Sequence, residues 1–164
     1  MTDYLRLGGA ALIMIGALLI CHSYESYLKK RLSEYRGLVS LISHAEGEIS
    51  GFLTYGCELW RSFSDDALEK CGLLPLLREG RSLAEAFVES VGKMSISKNL
   101  SESLATDFKK LGKGYKDSEL KLLSSIRERL AKELDTESAE AEKNIKVARA
   151  LILGGGLTVG IMVI

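Results

Sequence analysis

His44-Ala45-Glu46-Gly47-Glu48 is the one place in this chain where potential metal ligands crowd together. Zinc-dependent hydrolysis from a helix needs two histidines one turn apart with a glutamate between them, and zinc deamination needs a cysteine pair. The cluster has neither, so His44 is expected to be an exposed helix residue among small and acidic neighbours. Cys21, Cys57 and Cys71 are odd in number and lack CxxC spacing. They give no zinc pattern and no disulfide framework, and read as free thiols, buried or at a membrane edge, in a reducing compartment. Gly154-Gly155-Gly156 is followed by no Lys-Ser/Thr, so it cradles no phosphate. No GxSxG elbow and no serine-histidine-acid grouping stands out. The 22 basic residues equal the 22 acidic ones, and they are interspersed without aromatic interleaving, which argues against nucleic acid. An enzyme is not expected, nor a cofactor or metal.

The balanced charge hides a segregation. Residues 7–21, LGGAALIMIGALLIC, and 150–164, ALILGGGLTVGIMVI, carry no charge. Crossing the hydrocarbon of a bilayer takes about 20 mostly apolar residues in a helix. Each run is shorter, but Tyr4 and Leu5 extend the first, and Ile145, Val147 and Ala148 the second; Arg6, Lys146 and Arg149 can snorkel. Transmembrane helices are expected at 4–21 and 147–164. A secretory signal would need small residues before its cleavage point, and LLICHSY has none at the right places. Ile20 is too large for a lipoprotein cleavage box. Lys143, Lys146 and Arg149 stand where a removable anchor signal would need a polar spacer. Lys29, Lys30 and Arg31 after the first span, with Lys146 and Arg149 before the second, place the middle of the chain in the cytoplasm; Arg6 counts against this orientation. Gly9 with Gly16, and Gly156 with Gly160, form small-residue stripes suited to helix packing in lipid.

The middle block is rich in helix formers. Tyr24, Leu28, Leu32, Tyr35, Leu38 and Ile42 follow helical spacing, so the first span is expected to run on as one helix. GFLTYGCELW (51–60) reads as a short helix after a bend. Ser64 before Asp65 and Asp66 reads as a helix cap, ending near Cys71-Gly72, with Pro75 in the first turn of the next helix. Ser82 and Glu85 form a capping box after Gly80, and Asn99 with Glu102 repeats the device. The expected packing faces are Leu83, Ala84, Phe87, Val88, Val91 and Met94, then Leu100, Leu104, Phe108 and Leu111 up to Gly112. From Asp117 an unbroken stripe runs through Leu120, Leu123, Ile126, Leu130, Leu134 and Ala141 towards the tail. The charge-rich Glu128–Lys146 stretch reads either as a stalk or as the solvated face of a bundle helix. An all-α bundle of about five or six helices is expected, its first and last helices continuing into the membrane.

LREGRSLAEAFVES (77–90) resembles the secretion-platform pattern of a glycine, then Ser-Leu, then an Ala-Phe pair, here Gly80, Ser82, Leu83, Ala86 and Phe87. FKKLGKGYKDSELKLL (108–123) resembles the pattern of Phe108, Leu111-Gly112 and a later Asp before a long last helix. AEAEKNIKVARALILGGGLTVGIMVI (139–164) and YLRLGGAAL (4–12) resemble the terminal helices of the same family. These stretches are similar to the stage III sporulation protein AB family, which is related to the cytoplasmic domain of the type II secretion system platform protein F. Residues 51–76 match nothing in that pattern. The resemblance implies a non-enzymatic platform component of the channel complex between mother cell and forespore, on the mother-cell side of the outer forespore membrane. It implies a cytoplasmic hexameric ATPase of that complex as partner, with other membrane subunits and a possible homo-oligomer. It divides the chain into a span at 4–21, a cytoplasmic bundle at 22–117, a long last helix or stalk at 118–146 and a span at 147–164. Two other readings compete: a membrane-tethered signalling or regulatory adaptor, and, with no ionisable residue inside either span, the weaker case of a small transporter or pore subunit.

Overall fold

A computed structural model describes residues 2–51 and 58–163 of the 164-residue chain, with side-chain placement for these except 2–7, 10, 13, 153 and 156–163. Among the described residues there are helices and no strand. In order they are α1 (Thr2–Gly51), α2 (Glu58–Arg61), α3 (Asp66–Lys70), α4 (Leu73–Arg78), α5 (Leu83–Ser90), a single 3-10 turn at Val91–Lys93, α6 (Lys98–Phe108) and α7 (Lys116–Val163). The expected all-α architecture, continuous first helix and long last helix are therefore present. The bend at 52–57 and Cys57 lie outside the described residues.

The chain divides into two compact units, Lys30–Thr136 and the ends Met1–Lys29 with Glu137–Ile164. In the middle unit, α1 contributes Tyr35, Leu38, Leu41 and Ile42, and α7 contributes Leu123, Ile126 and Leu130. The short helices fill the space around them with Leu68, Leu73, Leu74, Leu77, Phe87, Leu104 and Phe108, nearly all fully enclosed. Phe87 and Phe108 meet edge to face, centroids 5.0 Å apart at 88°, the geometry that the ring quadrupoles favour. Leu130 and Leu134 belong to this packing, so the first part of the charge-rich stretch is the solvated face of a bundle helix.

Local chemistry explains the starts of the short helices, with two changes from expectation. Asp65, not Ser64, caps α3: its Oδ1 accepts from the Ala67 and Leu68 amides, both at 3.0 Å. Gly37 of α1 passes so close that a Cβ there would lie 2.7 Å from Asp65 Oδ1 and 2.9 Å from Leu68 Cγ. Ser97, not Asn99, caps α6 by accepting from the Leu100 amide, so that helix begins one residue before Asn99 and ends at Phe108. On α5 the buried face is Leu83, Ala86, Phe87 and Ser90. Val88, expected to pack, is 53 % exposed.

In the unit formed by the ends, Leu28 and Ala141 are buried. Arg149 donates from Nε to Glu25 Oε1 at 2.7 Å, and the Cys21 thiol reaches the same oxygen at 3.9 Å. Leu12, Ile15, Leu18, Leu19, Ile20 and Leu151 lie 54–72 % exposed. Among the described residues no helix is long and apolar enough to cross a membrane. The two uncharged stretches of the sequence extend to residue 7 and across 156–164, whose side chains lie outside the described set.

Candidate interaction surface

Two turns build the surface. Between α4 and α5, Gly80 adopts φ +92°, a left-handed conformation that side chains with a Cβ resist. Two residues on, the Ser82 hydroxyl accepts from the Glu85 amide at 3.3 Å while the Ser82 amide donates to Glu85 Oε2 at 3.2 Å, a complete capping box. Hydrogen bonding to the carboxyl from the Ser82 side chain, and from the Ser82 backbone amide, holds Glu85 below the usual range. Between α6 and α7, Gly112 has φ +79°, and the Gly114 amide donates to Glu119 Oε1 at 3.3 Å. Glu119 is buried, so that bond satisfies a carboxylate that would otherwise be costly to desolvate.

The turns converge although they are far apart in sequence. Gly80, Ser82, Leu83, Phe108, Leu111 and Gly112 all line one cavity of about 290 Å³, beside Trp60. Around its edge a more open groove of about 780 Å³ runs between α5 and the turn that follows α6, with Ala84, Val88, Phe108 and Leu111 as its apolar floor. Ala86 and Phe87 lie beneath, in the core. Six of the eight motif residues singled out in the sequence thus share one surface feature, and two support it from behind.

The remaining singled-out residues lie elsewhere. Lys29 is exposed, Lys30 pairs with Glu34 at 3.7 Å, and Lys146 pairs with Glu142 at 4.0 Å. Arg31 is half-buried, and Arg149 holds Glu25. A Cβ built on Gly9 or Gly16 meets no described atom within 4 Å; Gly156 and Gly160 fall outside the described side chains.

His44 is not the exposed residue expected. It is half-buried, with Nε2 3.0 Å from the Leu59 carbonyl and 3.3 Å from Ser62 Oγ, and its ring lies 5.3 Å from that of Phe63. It ties α1 to α2 and gathers no ligands; among the described residues no group of acids, histidines and cysteines could hold a metal. Burial pushes the Cys71 thiol up, leaving it inert at neutral pH.

No motif or spacing in the sequence points to Glu34. It is 1 % exposed, yet its carboxylate accepts from the Ser95 amide at 2.5 Å, across 61 residues. With Tyr35, whose hydroxyl takes the Ser97 amide, it secures the connection from α5 to α6. Glutamate on an otherwise polar helix face reads as solvated, so only the tertiary contact reveals its role.

The continuous terminal helices, the bundle between them and the two glycine turns occur in the order that the motifs had suggested. The family model of stage III sporulation protein AB matches residues 6–164. The chain belongs to the stage III sporulation protein AB family. It is thus a sporulation protein, and the match takes in both uncharged ends as well as the bundle. No curated protein and no solved structure matches the chain. The family description names no reaction, and the surface contains apolar floor, capping bonds and paired charge.

Proposed function

We propose that this chain is a membrane platform component of a secretion-like channel complex between mother cell and forespore, holding its bundle in the mother-cell cytoplasm. The observation that carries the reading is the family match along residues 6–164. The ends support it: they expose leucines and isoleucines that water would not favour and a hydrocarbon phase would. With residues 1–7 and 156–164 added, both stretches approach the length of a span. Arg149, Lys146, Lys29 and Lys30 then stand at the cytoplasmic boundary. The glycine stripes, including Gly156 and Gly160, would face other membrane subunits or a second copy.

The bundle would engage the cytoplasmic hexameric ATPase of the same complex. The test is co-purification of full-length protein in lipid nanodiscs with that ATPase, alongside labelling of single engineered cysteines at Thr2 and Ser125 by an impermeant maleimide in intact cells. ATPase capture, with Ser125 protected in intact cells and labelled after lysis, is expected. Absence of binding by a folded, correctly oriented bundle would sink the platform reading and favour a regulatory adaptor tethered to the membrane.

A further inference from the structure

The groove between α5 and the turn that follows α6 combines an apolar floor with an uneven rim. Val88 projects into it at 53 % exposure, and Ala84, Phe108 and Leu111 complete the floor. Every acidic group on the rim is already occupied. Glu85 is held in the capping box by Ser82, and Glu89 is bridged by Arg81. Lys109 and Lys113 are exposed and form no ion pair among the described residues. Beside them Lys110 is balanced by Asp107 at 2.8 Å, and Tyr115 stands 90 % exposed. The uncommitted charge of the groove is therefore positive, along the edge of a trough about 780 Å³ in volume that the turn after α6 forms.

We propose that this groove is a docking site for an acidic amphipathic helix of a partner protein. Apolar side chains at i, i+3, i+4 and i+7 would lie on Val88, Ala84 and Leu111, and carboxylates on one flank would meet Lys109 and Lys113. An amphipathic helix lying in an apolar groove is a recurrent mode of recognition, and the free lysines give the trough a preferred edge and so a preferred orientation. A flat anionic lipid surface would satisfy the lysines but leave the recessed floor of Phe108 and Leu111 uncovered. The inference deepens the platform reading by naming the chemistry of the partner segment, and rests on it. The two fail separately, because the ATPase could bind elsewhere while the groove takes no acidic helix.

The test uses full-length protein in nanodiscs of phosphatidylcholine alone. The probes are two fluorescent 21-residue helical peptides with the same leucine stripe, one flanked by glutamates and the other by lysines. Fluorescence anisotropy should show saturable binding of the glutamate peptide only, weakening as salt rises. Lys109→Glu/Lys113→Glu and, separately, Val88→Asp should each weaken it about tenfold or more, since charge reversal and a carboxylate on the apolar floor act independently. Fluorescence of Trp60 should keep its normal melting transition in these surface variants, showing them folded. The proposal is overturned if neither peptide binds, if both bind alike, or if binding survives the two lysine changes. It is equally overturned if those lysines are needed for capture of phosphatidylserine vesicles while the peptide stays unbound, or if Val88→Asp dissociates a dimer seen by mass photometry, since the groove would then belong to lipid or to a second copy.

Discussion

Tyr35 and Leu18 lie on the same helix, α1, yet Tyr35 is fully enclosed while Leu18 is 56 % exposed. Around Tyr35 the middle unit is held by many interlocking apolar side chains, by caps and by the buried Glu34 bridge. Around Leu18 few of the described side chains are enclosed, and the clearest polar tie among them is the Glu25–Arg149 pair, with Arg149 60 % exposed. Helix continuity therefore says little about what stabilises a segment. The middle unit carries its stability within its own core, whereas the ends present exposed apolar surface.

Trp60 is the single tryptophan of the chain and is buried in the middle unit, so its fluorescence follows that unit alone. Phe87→Ala removes a fully buried ring together with its edge contact to Phe108 and should cost about 3–5 kcal/mol in the Trp60 unfolding transition. Gly37→Ala should follow at about 1–3 kcal/mol, because overpacking against Asp65 and Leu68 outweighs the gain in helix propensity; an unchanged transition would mean that α3 does not press on α1. Ser82→Ala should cost about 1 kcal/mol through the lost cap, and Gly80→Val a similar or larger amount through left-handed strain.

Acid separates the units further. Burial raises the Asp107 carboxyl, but hydrogen bonds from Lys110 and Arg129 outweigh it and hold the group below its usual range. A depressed carboxylate stabilises the fold above its unfolded-chain pKa, and that contribution disappears as pH falls through the folded value. The Trp60 melting temperature should drop below about pH 4, and less steeply in Asp107→Asn. Smallest of all, Arg149→Ala should leave the Trp60 transition unmoved, since Arg149 is largely exposed and its pair with Glu25 lies in the other unit. A shift there as large as that of Phe87→Ala would show that the two units melt as one.

Features set by near neighbours were legible in the sequence. The Ser82–Glu85 box needs only the i, i+3 spacing, and the stripe Leu123, Ile126, Leu130 needs only helical periodicity. At residues 64–66 several good capping groups stand together, and the close passage of α3 beside Gly37, nearly thirty residues earlier, accompanies the use of Asp65. Val88 and Ala86 flank Phe87 on the same helix; the tight fit of α5 places the small residue inward and leaves the larger one in the groove. The motif glycines and Ser82 were readable one by one, but their gathering around a single cavity was not, because it depends on α6 returning to α5. The roles of His44 and Glu34 were not legible for the same reason: their partners, Leu59 and Ser95, lie 15 and 61 residues away.

The reach of Glu34 to Ser95 has a consequence during synthesis. At about 5–20 residues per second, the intervening chain takes on the order of 3–12 s to emerge from the ribosome. Throughout that interval the Tyr35–Ile42 face of α1 has neither the α5–α6 connection nor α7 to cover it. A nascent chain paused before residue 95 would present an uncovered apolar helix face, so this interval is when chaperone shielding, or its absence, would decide the yield of folded protein.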